Sequence, residues 1–228
     1  MKLIISLWIV LALTSCGEKE VITSNQKSDP IAAATFRILA LGDSLTEGLG
    51  VLEASAYPAQ LQNRLHELGF QHIEVINAGL SGETTSGLKN RLAWVMKQKP
   101  DLTILCIGAN DAMRGLPLDL TINNLDEIIT TIKNNDSDLI LAGMQIYDNL
   151  GKEYVSGFKD IYPQMAIKYS IPLIPFLLED VAGSSELNQA DMLHPNAKGY
   201  EVIVEKNVIP RVLAYLENKQ PRENDARK

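Results

Sequence analysis

Runs of four to six apolar residues alternate along this chain with longer stretches in which apolar residues recur every three or four positions. The short runs cover residues 36–41, 73–76, 102–107, 139–144 and 172–175 and predict buried strands. The longer stretches predict amphipathic helices. Leu61, Leu65 and Leu68 form a stripe over residues 57–68, and Leu88, Leu92 and Val95 form one over 88–97. Ile122, Leu125, Ile128, Ile129 and Ile132 continue the pattern over 122–132. Further helices are expected over 154–169 and 200–216, where Pro163 and Pro210 predict a kink or a break. Pro195 and Asn196 supply the start signals for the last of these.

Apolar strands that alternate with helices build a parallel sheet with helices on both faces, a three-layer α/β/α arrangement. Ligands of such sheets bind beyond the carboxyl ends of the strands. Polar, glycine-containing segments stand at those ends in this chain. The first strand is followed by Gly42-Asp43-Ser44-Leu45, the second by Asn77-Ala78-Gly79-Leu80-Ser81-Gly82-Glu83-Thr84, and the third by Gly108-Ala109-Asn110-Asp111. Asp191-Met192-Leu193-His194-Pro195 follows the last strand.

Each segment carries chemistry suited to acyl transfer. A tight strand-to-helix turn lifts the Ser44 hydroxyl clear of the backbone and aims it at a helix N-terminus, where N–H groups favour negative charge. Serine needs a base. Of the three histidines, His66 falls within a helix and His72 borders a strand, so both read as surface residues. His194 is held out of helical geometry by Pro195, and Asp191 stands three positions earlier, within reach of one ring nitrogen. The same Asp191 also reads as a cap on a helix-entry turn. The Ser44 and Gly79 N–H groups and the Asn110 side-chain amide are candidate donors to an oxyanion. Leu80, Met113, Leu116, Ile146, Tyr147 and Tyr154 are candidates to line an acyl groove.

With 228 residues, 46% of them hydrophobic, the chain supports one sizeable globular core. Its formal net charge is −7 and its basic residues are scattered, which argues against a nucleic-acid partner. No glycine-rich dinucleotide or Walker-type run follows the first strand. The histidines offer no zinc ligand set. Neither a metal nor a cofactor is expected.

The amino terminus adds a targeting signal. Lys2 precedes an apolar stretch over residues 3–13, shorter than the roughly 20 residues of a membrane span and of signal-peptide length. It ends in Leu13-Thr14-Ser15-Cys16, which resembles the bacterial lipobox and marks Cys16 for lipidation. The expected organisation is a signal peptide over 1–15, a flexible tether over 16–34, a globular domain over 35–218 and a solvated tail over 219–228. About 18 polar tether residues have an r.m.s. reach of roughly 25 Å. This predicts a lipid-anchored protein of the bacterial cell envelope, facing the periplasm, with a membrane partner through Cys16. Gly17 after Cys16 resembles an outer-membrane sorting cue, and cleavage as an ordinary secreted protein is the alternative. With Cys16 lipidated, Cys106 has no disulfide partner and reads as a small buried hydrophobe.

Taken together, the four strand-end segments resemble the SGNH (GDSL-type) hydrolases, over about residues 36–215. Ala112-Met113-Arg114-Gly115-Leu116-Pro117, Met144-Gln145-Ile146 and Ile161-Tyr162-Pro163 look like the thioesterase I, lysophospholipase and arylesterase branch. The resemblance implies a flavodoxin-like five-stranded parallel sheet in the order 2-1-3-4-5. It implies metal-free hydrolysis of acyl esters, thioesters or lysophospholipids, with Ser44, His194 and Asp191 as the triad and Ser44, Gly79 and Asn110 as the oxyanion hole. A carbohydrate O-acetyl esterase with the same centre is one alternative. A non-catalytic binding lipoprotein is another.

Overall fold

The structure is a computed structural model that describes residues 35–147 and 149–219. Cys16, the signal peptide, the tether and the tail beyond Lys219 lie outside the described residues.

Five parallel strands form one sheet in the order β2-β1-β3-β4-β5. They are β1 (Phe36–Gly42), β2 (Ile73–Gly79), β3 (Leu102–Cys106), β4 (Asp138–Ala142) and β5 (Leu173–Ile174). The central strands are closed to solvent on both faces, and Ile38, Leu39, Ala40 and Leu41 of β1 are wholly buried. Side chains of both pleat directions must then be apolar, which explains why these strands appear as continuous rather than alternating runs. Helices between the strands are α1 (Ser44–Glu47), α2 (Tyr57–Glu67), α3 (Thr85–Val95), α4 (Ala109–Met113), α5 (Leu118–Asn134) and α6 (Lys152–Tyr169), and α7 (Ala197–Val202) and α8 (Ile209–Lys219) follow β5. The stripe expected on α5 is its buried face, with Leu125, Ile128, Ile129 and Ile132 fully enclosed.

Several boundaries differ from the periodicity, each for a local reason. The α3 helix begins three residues before its first leucine because Thr84 caps it, accepting from Gly87 N–H. The second strand runs on through Asn77, Ala78 and Gly79, and Gly79 pairs with Gly42. Pro163 does not break α6. It lies on the exposed face, and the carbonyl it leaves without a helical donor belongs to exposed Lys159, open to solvent. Ahead of Pro210 the helix widens into a π-helical stretch over Ile203–Val208, which gives the ring room without ending the helix.

Candidate active site

Gly42 closes β1 at a point where no side chain fits. A Cβ there would overlap the Cys106 carbonyl oxygen of β3 and the Thr46 hydroxyl. The backbone turns immediately. Asp43 caps α1, its Oδ1 accepting from Leu45 N–H at 3.1 Å, and Ser44 becomes the first residue of that helix. Its N–H has no intrahelical acceptor at this position.

Ser44 Oγ lies 2.9 Å from His194 Nε2, although 150 positions separate the two residues. His194 Nδ1 lies 2.7 Å from Asp191 Oδ2. A carboxylate only accepts, so Nδ1 carries the proton and Nε2 is left as the acceptor for the Ser44 hydroxyl. The Asp191 turn is self-contained. Its Oδ1 accepts from Leu193 N–H at 2.9 Å and from His194 N–H at 3.0 Å. Those backbone donors, His194 first, together with the imidazole hold the Asp191 carboxyl down at about 2. Asp191 therefore serves as both turn cap and histidine partner. Met192 between them takes a left-handed φ of 60°, and the Tyr147 hydroxyl donates to its carbonyl at 2.8 Å.

Among the proposed donors, Asn110 sits on the first turn of α4, buried, with Nδ2 3.4 Å from Asp43 Oδ2. Gly79 fits differently from the expectation. Its N–H donates to Asn77 Oδ1 at 2.9 Å, and a Cβ on it would overlap the Glu47 amide nitrogen. Its glycine identity reflects the close approach of β2 to α1. Gly82, in the same loop, has a left-handed φ of 76°. Its carbonyl accepts from Arg114 Nη2 at 2.7 Å, just beyond α4.

Sequence reasoning missed the residues that hold these loops. Arg91 reaches back from α3 to the sheet edge. It grips buried Glu83 through two bonds of 2.6 and 2.7 Å, and it donates to Ala78 O at 2.8 Å and to Gly42 O at 3.4 Å. Gln189 latches the histidine turn to the loop after α1. Its side-chain amide donates to Leu49 O at 2.7 Å and to Pro195 O at 2.9 Å, while its N–H donates to His194 O at 2.8 Å. Arg91 carries no local signal for its carbonyl partners on β1 and β2, and nor does Gln189 for Leu49, which lies 140 positions away. Burial, with Glu83's charge adding to it, pushes the Asp43 carboxyl up to about 7 against the pull of the Leu45 N–H and His194.

A cavity of about 550 Å³ opens beside Ser44, Asn110 and His194. Its remaining wall is mainly apolar, with Met113, Met144, Ile146, Leu150, Phe176 and Leu178. Met113, Ile146 and Tyr147 line it as expected, whereas Leu80, Leu116 and Tyr154 do not. The Tyr154 hydroxyl instead donates to Leu116 O at 2.6 Å. His66 bonds to Gln62 and to Ile73 O, remote from the cavity, and His72 is exposed. Cys106 is buried and free of any disulfide, and burial pushes its thiol well up.

The sequence model of the GDSL-like Lipase/Acylhydrolase family matches residues 40–202. The chain belongs to this family. An arylesterase of Vibrio mimicus is 36% identical over 173 residues, spanning 75% of this chain and 86% of its own. Thioesterase 1/protease 1/lysophospholipase L1 of Escherichia coli K12 is 32% identical over 166 residues, spanning 72% and 78%. Among solved structures, the psychrotrophic esterase EstA of a Pseudoalteromonas species, inhibited by monoethylphosphonate, superposes with a TM-score of 0.75 at 30% identity. That match covers 80% of this chain and 99% of EstA. As a GDSL-like acylhydrolase the protein is a carboxylic ester hydrolase, and a purely binding role is set aside.

Proposed function

We propose that Ser44, His194 and Asp191 hydrolyse acyl esters and thioesters of small molecules, including lysophospholipids, through an acyl-enzyme. Ser44 Oγ attacks the acyl carbonyl carbon while His194 Nε2 takes its proton, and Asp191 steadies the imidazolium. The tetrahedral oxyanion is held by the Ser44 N–H and by Asn110 Nδ2. Gly82 replaces Gly79 as the third donor, because the Gly79 N–H is already engaged with Asn77 while Gly82 is tied beside α4. His194 then protonates the departing oxygen or sulfur. Water, deprotonated by the same nitrogen, releases the carboxylic acid and restores Ser44.

The observation that carries this reading is the continuous row Ser44 Oγ, His194 Nε2 and Nδ1, Asp191 Oδ2, with steps of 2.9 and 2.7 Å. The apolar cavity beside it supports a hydrocarbon acyl group over an acetylated sugar, whose hydroxyls would meet carbon. The names of the relatives point the same way, and the phosphonate inhibition of EstA fits a serine nucleophile. The deciding experiment is Ser44→Ala assayed on p-nitrophenyl butyrate, with fluorophosphonate labelling alongside. The expected loss is at least a thousandfold, with no labelling. Turnover near the parent level defeats the assignment. We further propose that Cys16 carries a lipid anchor and that residues 16–34 tether the hydrolase domain to the cell envelope.

A further inference from the structure

Large exposed apolar side chains are distributed unevenly over this domain. Among the described residues, Leu68, Trp94 and Ile167 lie at the ends of helices that finish at the amino edge of the sheet. All the others stand on the opposite, carboxyl edge, where Ser44 is. Leu49 and Leu52 are in the loop after β1, Leu80 follows β2 and Met113 follows β3. Leu150 follows β4, and Leu193 precedes His194. Leu52 is 79% exposed and Leu80 48%. Such a set on one edge marks an interaction surface. Met113, Leu150 and Leu193 also line the cavity, so the rim meets the cavity wall at these residues.

We propose that this edge docks on a lipid surface, the headgroup–acyl boundary of a zwitterionic phospholipid bilayer, and takes acyl substrates from it. The proposal rests on the hydrolase reading of Ser44. Three observations select this occupant. First, the cavity opens through the rim, so a hydrocarbon chain passes from the bilayer to Ser44 without crossing water. Second, charge excludes an anionic surface. The chain carries −7, and the edge exposes Glu53, Asp119 and Glu153 against Arg114 and Lys152. Third, the chain outside the structure has the length that docking needs. It joins β1 at the amino edge, and the seven residues of β1 span about 23 Å to the carboxyl edge. A polar tether of about 18 residues has an r.m.s. reach of roughly 25 Å. An anchored domain therefore has enough chain to lay its far edge on the membrane that holds it.

The test uses residues 34–228, which lack the anchor, so that only the rim is probed. EstA, covered over 99% of its length, shows that a domain of this extent stands alone. The domain is expected to co-sediment with phosphatidylcholine vesicles. The Leu52→Asp/Leu80→Asp double variant is expected to lower the partition coefficient at least tenfold. Hydrolysis of vesicle-borne ester should fall in parallel, while p-nitrophenyl butyrate turnover in solution stays within twofold. If the pair loses soluble turnover, Leu52→Asp alone takes its place. A parent domain that stays in the supernatant at millimolar lipid overturns the proposal, and so does a variant that sediments equally well. Rim-dependent binding of a protein, with no affinity for vesicles, overturns it too. Normal p-nitrophenyl butyrate turnover by Ser44→Ala would instead sink the hydrolase reading, with the vesicle result still interpretable. Membrane release of the full chain by Cys16→Ser separately tests the anchor.

Discussion

Asp191 shows how much one side chain does here. One oxygen accepts two backbone N–H groups and the other orients the imidazole. Asn at this position still accepts the backbone donors but presents the imidazole with the wrong choice of partner, since its amide nitrogen is itself a donor. Asp191→Asn is expected to fold normally by circular dichroism and to lose about 10⁴-fold in kcat. With its carboxyl held down at about 2, Asp191 stays ionised above pH 4, so no limb of a pH–rate profile between 4 and 9 is its titration. Asp43 behaves in the opposite sense. Burial first, then Glu83, raises its carboxyl from 3.8 to about 7. Between these values the folded state holds a proton that the unfolded chain has released. Its stabilising contribution is complete below pH 4 and fades as pH rises to about 7, by up to about 1.4 kcal/mol per pH unit. Asp43→Asn keeps a competent cap. Urea unfolding of that variant measured from pH 4 to 7 is expected to show a correspondingly flatter dependence on pH.

The strand ends are held by cross-element side chains. Arg91 ties α3 to the last carbonyls of β1 and β2, and its charge is balanced by Glu83, whose side chain is 4% exposed. Removing one member of such a pair leaves a poorly solvated charge. Glu83→Gln is expected to destabilise the fold by about 3 kcal/mol in denaturant titration. The Glu83→Gln/Arg91→Met double variant should recover part of that loss. At this scale the hydrophobic period was a good guide to where elements lie, because burial of a strand or of a helix face is written in nearby residues. It located all five strands. It was a poorer guide to their ends, which caps and pairing decide: Thr84 starts α3 early, and pairing with Gly42 carries β2 out to Gly79. The Asp191–His194 contact was legible because both partners belong to one turn. The bonds of Arg91 to the ends of β1 and β2 and of Gln189 to Leu49 were not, since those partners come from other elements.

For the whole molecule, the cavity beside Ser44 is the proposed acyl site. Loops after β1, β3, β4 and β5 each contribute wall residues, so its length is a property of the packed sheet edge. Ile146 lies on that wall. Ile146→Trp should fill part of the cavity and exclude longer acyl chains. Since each methylene is worth about 1–3 kcal/mol in such a pocket, kcat/KM for p-nitrophenyl octanoate is expected to fall at least tenfold relative to the acetate. Unchanged relative values would place the acyl chain elsewhere.

By itself the amino-acid sequence determined the alternation of buried strands and amphipathic helices, the glycine-led turn that presents Ser44, and the short turn joining Asp191 to His194. These depend on interactions within a few residues. Only the tertiary structure decided that Ser44 meets His194, that Gly79 is needed for the approach of β2 to α1, that Arg91 and Gln189 lock the loops, and that the exposed leucines share an edge with the cavity. Each of these joins positions whose separation along the chain says nothing of their distance once the sheet has ordered its strands, and the positional information lies in the packing of the whole domain.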